Sequence, residues 1–351
     1  MDDFQGNLFG YFKFFQYIIY HTNTEPMIDF SQFDNLITLT AYFNSNDVCK
    51  NAIIESRWSD GDVVCPYCGG HHCVSRTDGR FRCKQCGKNF SCLVGTIFEN
   101  TNLPLIKWFV AMYLISSHKK GVSSHQLSRD IKVTQSTAWY MLQKIRLLYP
   151  QTDKKQFSGT IECDEVYIGG KEKWKHKSMR TPHTQGRSTK TKTPVFGMME
   201  RGTWINSNGE DENMTYVHAF VVPNTNRGTL QPLIEQFVVE GSMVITDELN
   251  AYRGLESLGY HHAIVNHGQE KYADGDIFTN SIEGFWSHFR RMITGCYHDV
   301  SDEHLQSYID EAVYRWNTRK ASQEERFADM FSKSIGIVRK WSEIRVSLQA
   351  A

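Results

Sequence analysis

The sequence predicts a multidomain α+β protein: a small metal-bound ribbon, a helical region, and then a mixed α/β domain. Three observations predict it. Two Cys-x-x-Cys pairs stand in "CPYCGGHHCVSRTDGRFRCKQC", from Cys65 to Cys86. Apolar residues at helical spacing dominate up to about residue 148, and from Gly159 the texture changes to short β-like runs with two helical patterns behind them. At 351 residues the chain has room for two or three domains and a sizeable core.

In chain order, residues 1–44 read as an aromatic-rich extension. Its run "LFGYFKFFQYIIY" (Leu8 to Tyr20) is 13 residues long and contains Lys13 and Gln16, too short to span a bilayer. It also lacks the clean apolar stretch and small residues of a signal peptide. It is expected to be a packed or interaction segment, with no membrane role. Residues 45–95 are expected to hold a helix, "NDVCKNAIIESRW" with Asn46 in position to cap it, and then the ribbon. Residues 96–150 hold "LPLIKWFVAMYLISS", with Pro104 near its start, and two further helices at roughly 123–131 and 134–148. Residues 151–325 form the α/β domain, and 326–351 a tail. The expected strands are "GTIECDEVYIGG", "TPVFGMMER", "TYVHAFVVP", "SMVITDE" and "HHAIVNH", with the helix "GTLQPLIEQFVVE" between the third and fourth. Helices near 280–293 and 302–318 follow. In the second, Leu305, Tyr308, Ile309, Ala312, Val313 and Trp316 share one face.

Thiolates of Cys65, Cys68, Cys83 and Cys86 can surround one Zn²⁺ tetrahedrally, and Gly69, Gly70 and Gly87 allow the tight turns. Four protein ligands leave no open position, so the zinc is structural. The set is complete without His71, His72 and Cys73, which read as loop residues. The other cysteines (Cys49, Cys73, Cys92, Cys163, Cys296) form no even framework, so a reducing, intracellular setting with a zinc site fits better than a disulfide scaffold.

Charge separates the regions. The whole chain carries 39 Lys+Arg and 39 Asp+Glu, but residues 61–150 carry twelve against four. A local basic field is what a polyanion partner requires. Arg76, Arg80, Arg82, Lys84 and Lys88 lie in or beside the ribbon. In "VSSHQLSRDIKVTQSTAWYMLQKIR" a helix begins near Ser123, a turn falls at Lys132–Val133, and Thr134 can cap a second helix. Val122, Leu127, Ile131, Val133, Ala138, Leu142 and Ile145 form the expected buried set. Gln135, Ser136, Thr137, Tyr140 and Lys144 are left to face a DNA groove, as in a helix-turn-helix. A plain helical pair with polar outer faces is the alternative. "KEKWKHKSMRTPHTQGRSTKTK" (Lys171 to Lys192) carries eight Lys/Arg and one Glu. Its Lys171, Lys173, Lys175, Lys177 and Arg180 suit DNA phosphates, though a solvated loop would look the same.

Three carboxylates complete the inventory. Asp164 falls in or at the end of one β-run and Asp247 at the end of another; an acid at the tip of a buried strand is costly unless it binds something. Glu162 and Glu165, on either side of Asp164, are expected on the opposite strand face. Glu283 falls in the first turn of a helix, with Arg290 two turns further along the same face. Each has a plainer explanation: Asp247 can start a turn, and Asn280-x-x-Glu283 reads as a capping box.

"RWSDGDVVCPYCG", "ECDEVYIGGKE" and "TNSIEGFWSHFRR…GCYHDVSDEHLQSYIDEAVYRWNTR" carry a resemblance. Over roughly residues 45–320 the chain resembles DDE transposases of bacterial insertion sequences, in the zinc-ribbon group related to eukaryotic Merlin elements. The resemblance implies a ribonuclease-H-like domain from about Gly159, with Asp164, Asp247 and Glu283 as a triad holding Mg²⁺ or Mn²⁺. Some relatives use Asn in the third place, which makes Asn280 the alternative third residue. Double-stranded DNA, at element ends and target, is the implied partner, with the enzyme working as a homo-oligomer on it. The first 40 residues lie outside the resemblance, and Met27 is an alternative start. The residues fit phosphodiester cleavage and strand transfer, which need held cations and no covalent enzyme intermediate. A DNA-binding regulator that has lost the chemistry, or a nuclease that cuts without joining, would carry much the same sequence.

Overall fold

These patterns settle into two units in the computed structural model, which describes residues 28–149, 156–169, 176–182, 188–205, 211–265 and 277–336. One unit runs to Tyr113 and includes the segment from Gln323; the other runs from Leu114 to Ser322. The aromatic run Leu8 to Tyr20, Met27, Lys171, Lys173 and Lys175 lie outside the described residues.

In the first unit, α1 (Leu36–Tyr42) is started by an Asn35–Thr38 capping box. The cap of α2 (Asn46–Arg57) is Ser45, whose side chain accepts from the Val48 N–H. Asn46 does a different job from the expected one: its Oδ1 accepts from the backbone N–H of Leu105 at 2.8 Å. It thus satisfies an orphan donor at the start of α3 (Leu105–Ser117). Phe33, Phe43, Phe109 and Phe331 stack edge-on or tilted, with neighbouring centroids 4.8–5.4 Å apart. Phe331 comes from the last helix of the described residues, Gln323–Ile335, which lies across the expected boundary between α/β domain and tail. The ribbon is a three-stranded antiparallel sheet of β1 (Cys73–Ser75), β2 (Phe81–Cys83) and β3 (Asn89–Phe90). It is tied to α2 where Trp58 meets Phe81 edge-on at 5.2 Å and Arg57 donates to the carbonyls of Cys92 and Val94.

In the second unit, α4 (Ser124–Asp130) starts where expected, with Ser123 as its cap, and α5 (Gln135–Arg146) is capped by Thr134 as its sequence predicts. Lys132 takes a left-handed turn between them, at φ 50°. Every member of the expected buried set is buried except Val133, which is half-buried.

The five predicted strands all form: β4 (Thr160–Gly169), β5 (Lys192–Ile205), β6 (Asp211–Val221), β7 (Met243–Thr246) and β8 (His261–Ile264). They make one mixed sheet in the order β6-β5-β4-β7-β8, antiparallel among the first three and parallel from β4 outward. Helix α6 (Arg227–Phe237) covers one face with Leu230, Ile234 and Phe237. Helix α7 (Asn280–Met292) and α8 (Asp302–Asn317) cover the other. Between them, Ile293–Tyr297 adds a π-helical turn that periodicity did not predict.

Two interactions on α8 decide how this unit closes. An edge strand exposes unpaired N–H and C=O groups. Along the free edge of β6, the Asn317 amide bonds both backbone groups of Val217, and the Gln306 amide bridges Ala219 O and Val221 N. The second interaction centres on Glu311, which is wholly buried. Its carboxylate accepts from Arg146 Nε on α5 at 2.8 Å, from Arg315 Nη2 at 2.7 Å and from Tyr297 Oη at 2.8 Å. Arg146 lies flat on the Tyr308 ring, 3.9 Å from its centroid, and Arg315 also donates to the carbonyls of Ile115 and His118. Gly121 permits this closeness: a Cβ there would lie 2.1 Å from Tyr297 Oη.

Glu311→Ala would leave Arg146 and Arg315 buried with no counter-charge. It should lower unfolding stability by about 3–5 kcal/mol. Urea denaturation of the metal-loaded protein should show this as a lower midpoint at an unchanged slope.

Candidate functional site

The two Cys-x-x-Cys turns are built alike. In each, the first cysteine accepts from a glycine N–H four residues on, Gly69 or Gly87, both at positive φ. Cys65 Sγ lies 3.7 Å from Cys86 Sγ, and Cys68 Sγ 3.6 Å from Cys83 Sγ; all four sulfurs lie within 4.8 Å of one another. A disulfide needs about 2.05 Å. Tetrahedral Zn²⁺ with bonds of about 2.3 Å puts its sulfurs about 3.8 Å apart. The geometry therefore fits zinc and excludes a disulfide. The backbone N–H of Cys86 lowers the Cys83 thiol, while the neighbouring sulfurs raise that of Cys68, so without a metal the cluster shares its protons unevenly. His71 is engaged elsewhere, its Nδ1 2.5 Å from Asp62 Oδ2, and Cys73 Sγ points at Gly70 O.

The second cluster sits where the antiparallel and parallel halves of the sheet meet. In the parallel pairing of β4 with β7, Glu162 lies beside Ile245; two residues on, the same register brings Asp164 level with Asp247. Ligand sites in such sheets lie at the carboxyl ends of parallel strands. Asp164, Glu165 and Asp247 bring carboxylate oxygens within 4.8 Å of one another. A cation with ligand oxygens at about 2.1 Å holds them roughly 3–4 Å apart, so this donor set fits a divalent ion with little closure. Asp247 Oδ1 also accepts from Leu249 N–H at 2.9 Å, so the turn-starting explanation is true of it as well.

Glu165 belongs to the cluster although the sequence reading set it aside. Strand alternation does put it on the face opposite Asp164, where Tyr252 Oη donates to it. Its carboxylate nevertheless comes within 4.8 Å of those of both aspartates, just past the point where the β4–β7 ladder ends at Glu162. Its adjacency in "CDE" was the one available signal. Glu162 corrects the same argument in the other direction. It stands two residues from Asp164, so a period of two puts both on one face. Glu162 is wholly buried there, bonded to Arg201 Nε and to the N–H of Ile282 on α7.

Glu283 is exposed in the first turn of α7, outside the tight three-carboxylate group. Its charge nevertheless reaches Asp164. The capping-box explanation does not hold: the cap position is Thr279, with no side-chain cap bond, and Asn280 is already inside the helix. Asn280 and Arg290 are exposed on α7 with Glu283. Asp164 itself is pushed up to about 6, first by burial and then by the charges of Asp247 and Glu283, against donation from the Glu165 backbone and the Trp286 indole. The buried Trp286 Nε1 lies near that carboxylate without reaching full hydrogen-bond geometry. Its ring fits because residue 197, paired with Asp164, is glycine; a Cβ there would lie 2.4 Å from Trp286 Cζ2.

Of the residues expected to face DNA, Gln135, Ser136 and Tyr140 are exposed and Thr137 is half-exposed on α5. Lys144 is buried instead, its ammonium 5.9 Å from the Tyr140 ring centroid. Lys177 and Arg180 are exposed, as are Arg76, Arg80, Arg82, Lys84 and Lys88 on the ribbon. No helix among the described residues is long and apolar enough to cross a membrane.

A thiolate ribbon ahead of a mixed sheet, with one acid inside its central strand and another just past the end of the neighbouring strand, is an arrangement shared with known proteins. Residues 156–317 match the family model of the ISXO2-like transposase domain, and residues 44–89 that of the transposase zinc-ribbon domain. Among similar proteins, an uncharacterized protein in transposable element ISH50 of Halobacterium salinarum is 29% identical over 279 residues, covering 76% of this chain and 89% of that protein. An uncharacterized transposase-like protein of Haemophilus influenzae is 30% identical over 108 residues, 31% of this chain and 86% of that protein. The chain belongs to the zinc-ribbon transposases with an ISXO2-like domain.

Two outcomes follow from this geometry. Purified protein should contain about one equivalent of zinc, and Cys83→Ser should release it; stoichiometric zinc retained in a Cys83→Ser/Cys86→Ser protein would exclude this ligand set. For Asp164 the sign is that of a carboxylate raised in the folded state: its contribution is full below the ordinary value near 3.8 and is lost as pH rises through about 6. Without divalent cation at the acids, Asp164→Asn should therefore raise the Tm by about 2–5 °C at pH 7.5. The gain should vanish near pH 4 in the same thermal scans.

Proposed function

We propose that this protein binds the terminal inverted repeats of its mobile element and catalyses cation-dependent DNA cleavage and strand transfer. The observation that carries the reading is the approach of the Asp164 and Asp247 carboxylates, with oxygens within 4.8 Å, close enough to Glu283 for its charge to raise Asp164. The change from antiparallel to parallel strands at β4, with the acids on the central pair, supports a ribonuclease-H-like domain.

Asp164 and Asp247 hold the divalent cations in this reading, with Glu283 as third ligand and Asn280 one turn earlier as its alternative. Bound Mg²⁺ or Mn²⁺ supplies Lewis acidity for phosphodiester attack and stabilises the leaving oxygen. Arg290 lies two turns along α7 from Glu283, where its guanidinium suits a DNA phosphate. Binding is assigned to the front of the chain. The exposed ribbon cations grip phosphates, and Gln135, Ser136, Thr137 and Tyr140 read a groove from the second helix of a helix-turn-helix. The buried Lys144 supports Tyr140 from behind. Lys177 and Arg180, with Lys171, Lys173 and Lys175, clamp phosphates beyond β4. Pairing two element ends requires a homo-oligomer on DNA inside the cell.

The test uses pre-cut terminal DNA, Mg²⁺ and a target plasmid. Wild-type protein should give joined product. Asp164→Asn and Asp247→Asn should lower cleavage by roughly 10³-fold or more while end binding persists. Glu283→Gln should behave likewise; an active Glu283→Gln beside an inactive Asn280→Ala would move the third role to Asn280. Cleavage without joining would identify a plain nuclease, and binding without either reaction a regulator.

A further inference from the structure

Helix α7 is held at its start by groups remote in sequence. Its cap residue Thr279 makes no side-chain cap bond. The first-turn N–H of Ile282 is instead taken by Glu162 Oε2 at 2.9 Å, from the middle of β4. The other oxygen of Glu162 accepts from Arg201 Nε on β5 at 2.7 Å. Arg201 uses Nη2 to bond Phe278 O, and its guanidinium lies 3.6 Å from the centroid of the Phe278 ring. Two side chains of the sheet thus grip the backbone on both sides of Thr279, which is itself buried.

The grip shares both of its elements with the acids. Glu162 precedes Asp164 by two residues on the same strand face. Ile282 immediately precedes Glu283, and Asn280 lies between the two gripped points. An ordinary N-cap would fix α7 only to its own preceding loop. A carboxylate on β4 fixes it to the strand that carries Asp164, and negative charge at a helix N-terminus is favourable.

We propose that Glu162 and Arg201 are positioning residues: they register the start of α7 against β4 and so set where Glu283 and Asn280 stand relative to Asp164. This inference rests on the active-site reading above for its catalytic consequence. Its structural half, the registration of α7, stands independently. The pair lies outside the close group of Asp164, Glu165 and Asp247 carboxylates. A shift of about 1 Å in a reacting group can cost on the order of 10²-fold in rate, so looseness here should appear as lost turnover without lost DNA binding.

Glu162→Asp separates charge from reach. It keeps the carboxylate for Arg201 but is one methylene too short to hold Ile282 as well. Arg201→Lys keeps charge beside Glu162 and gives up the second bond and the stacking. The full-length, zinc-loaded protein would be compared with both variants by amide hydrogen exchange without divalent cation at the acids, by Mn²⁺ titration calorimetry, by binding to terminal-repeat DNA and by single-turnover cleavage. Expected are faster exchange confined to residues 279–283, Mn²⁺ binding weakened about 10-fold or more, cleavage slowed about 10–100-fold, and unchanged end binding.

Unchanged exchange at residues 279–283 in a folded variant would overturn the proposal, as would wild-type Mn²⁺ affinity and cleavage in both. Exchange that quickens evenly across the sheet in both variants would also overturn it, by showing a pair that holds the core and not the helix start. Asp164→Asn is the parallel arm. If it binds Mn²⁺ and cleaves like wild type, the active-site reading fails, and the exchange data still judge the registration of α7 alone.

Discussion

The second unit depends on the cost of burying charge. Glu311 has no access to water, and a carboxylate there is tolerable only if donors surround it. Arg146, Arg315 and Tyr297 supply them, and their attraction outweighs burial, holding Glu311 below the usual carboxylate range. The donors come from α5, from α8 and from the π-turn after α7. One acid thereby ties the helix proposed to read DNA to the helices that cover the sheet. Among the described residues the two outer nitrogens of Arg146 find no hydrogen-bond acceptor, and the faces of Tyr308 and Tyr297 serve the guanidinium instead.

The same cost, left unmet, defines the site. Asp164 is half-buried beside Asp247 and within reach of the charge of Glu283, and burial and those charges push its proton affinity up. Glu162, two residues away on the same face, is more deeply buried, but Arg201 and the Ile282 N–H compensate it. Two acids of one strand thus have opposite roles. One is satisfied by protein and holds a helix in place. The other lacks full compensation, which suits the cation-ligand role proposed for it: stability given up there would be recovered on cation binding.

Much of this was legible in the sequence. The spacing of Cys65, Cys68, Cys83 and Cys86 specified a tetrahedral thiolate site because a Cys-x-x-Cys turn has few conformations. Ser123 and Thr134 announced their helices because capping is a local bond. The short β-like runs announced all five strands because strand-forming residues bounded by turn residues are a local signal. Where the reading erred, the cause was local reasoning about partners that are not local. Asn46 looked like the cap of its own helix and serves α3 across the unit. Asn280 and Glu283 had the spacing of a capping box, yet the helix starts one residue earlier, at the cap Thr279, and its first-turn Ile282 N–H is taken by Glu162 on a strand. Lys144 looked outward by type and is buried.

By itself the sequence determined the elements, their order, the thiolate site and the identity of the candidate acids, since each follows from bonds and periods within a few residues. Only the tertiary structure decided which acid faces what. Register between β4 and β7 levelled Asp164 with Asp247. Glu165 joined them just past the end of the β4–β7 ladder, and Gly197 made room for Trp286 beside them. These depend on contacts between residues tens to more than a hundred positions apart. Their energies come from burial and charge pairing, which no short window of sequence contains.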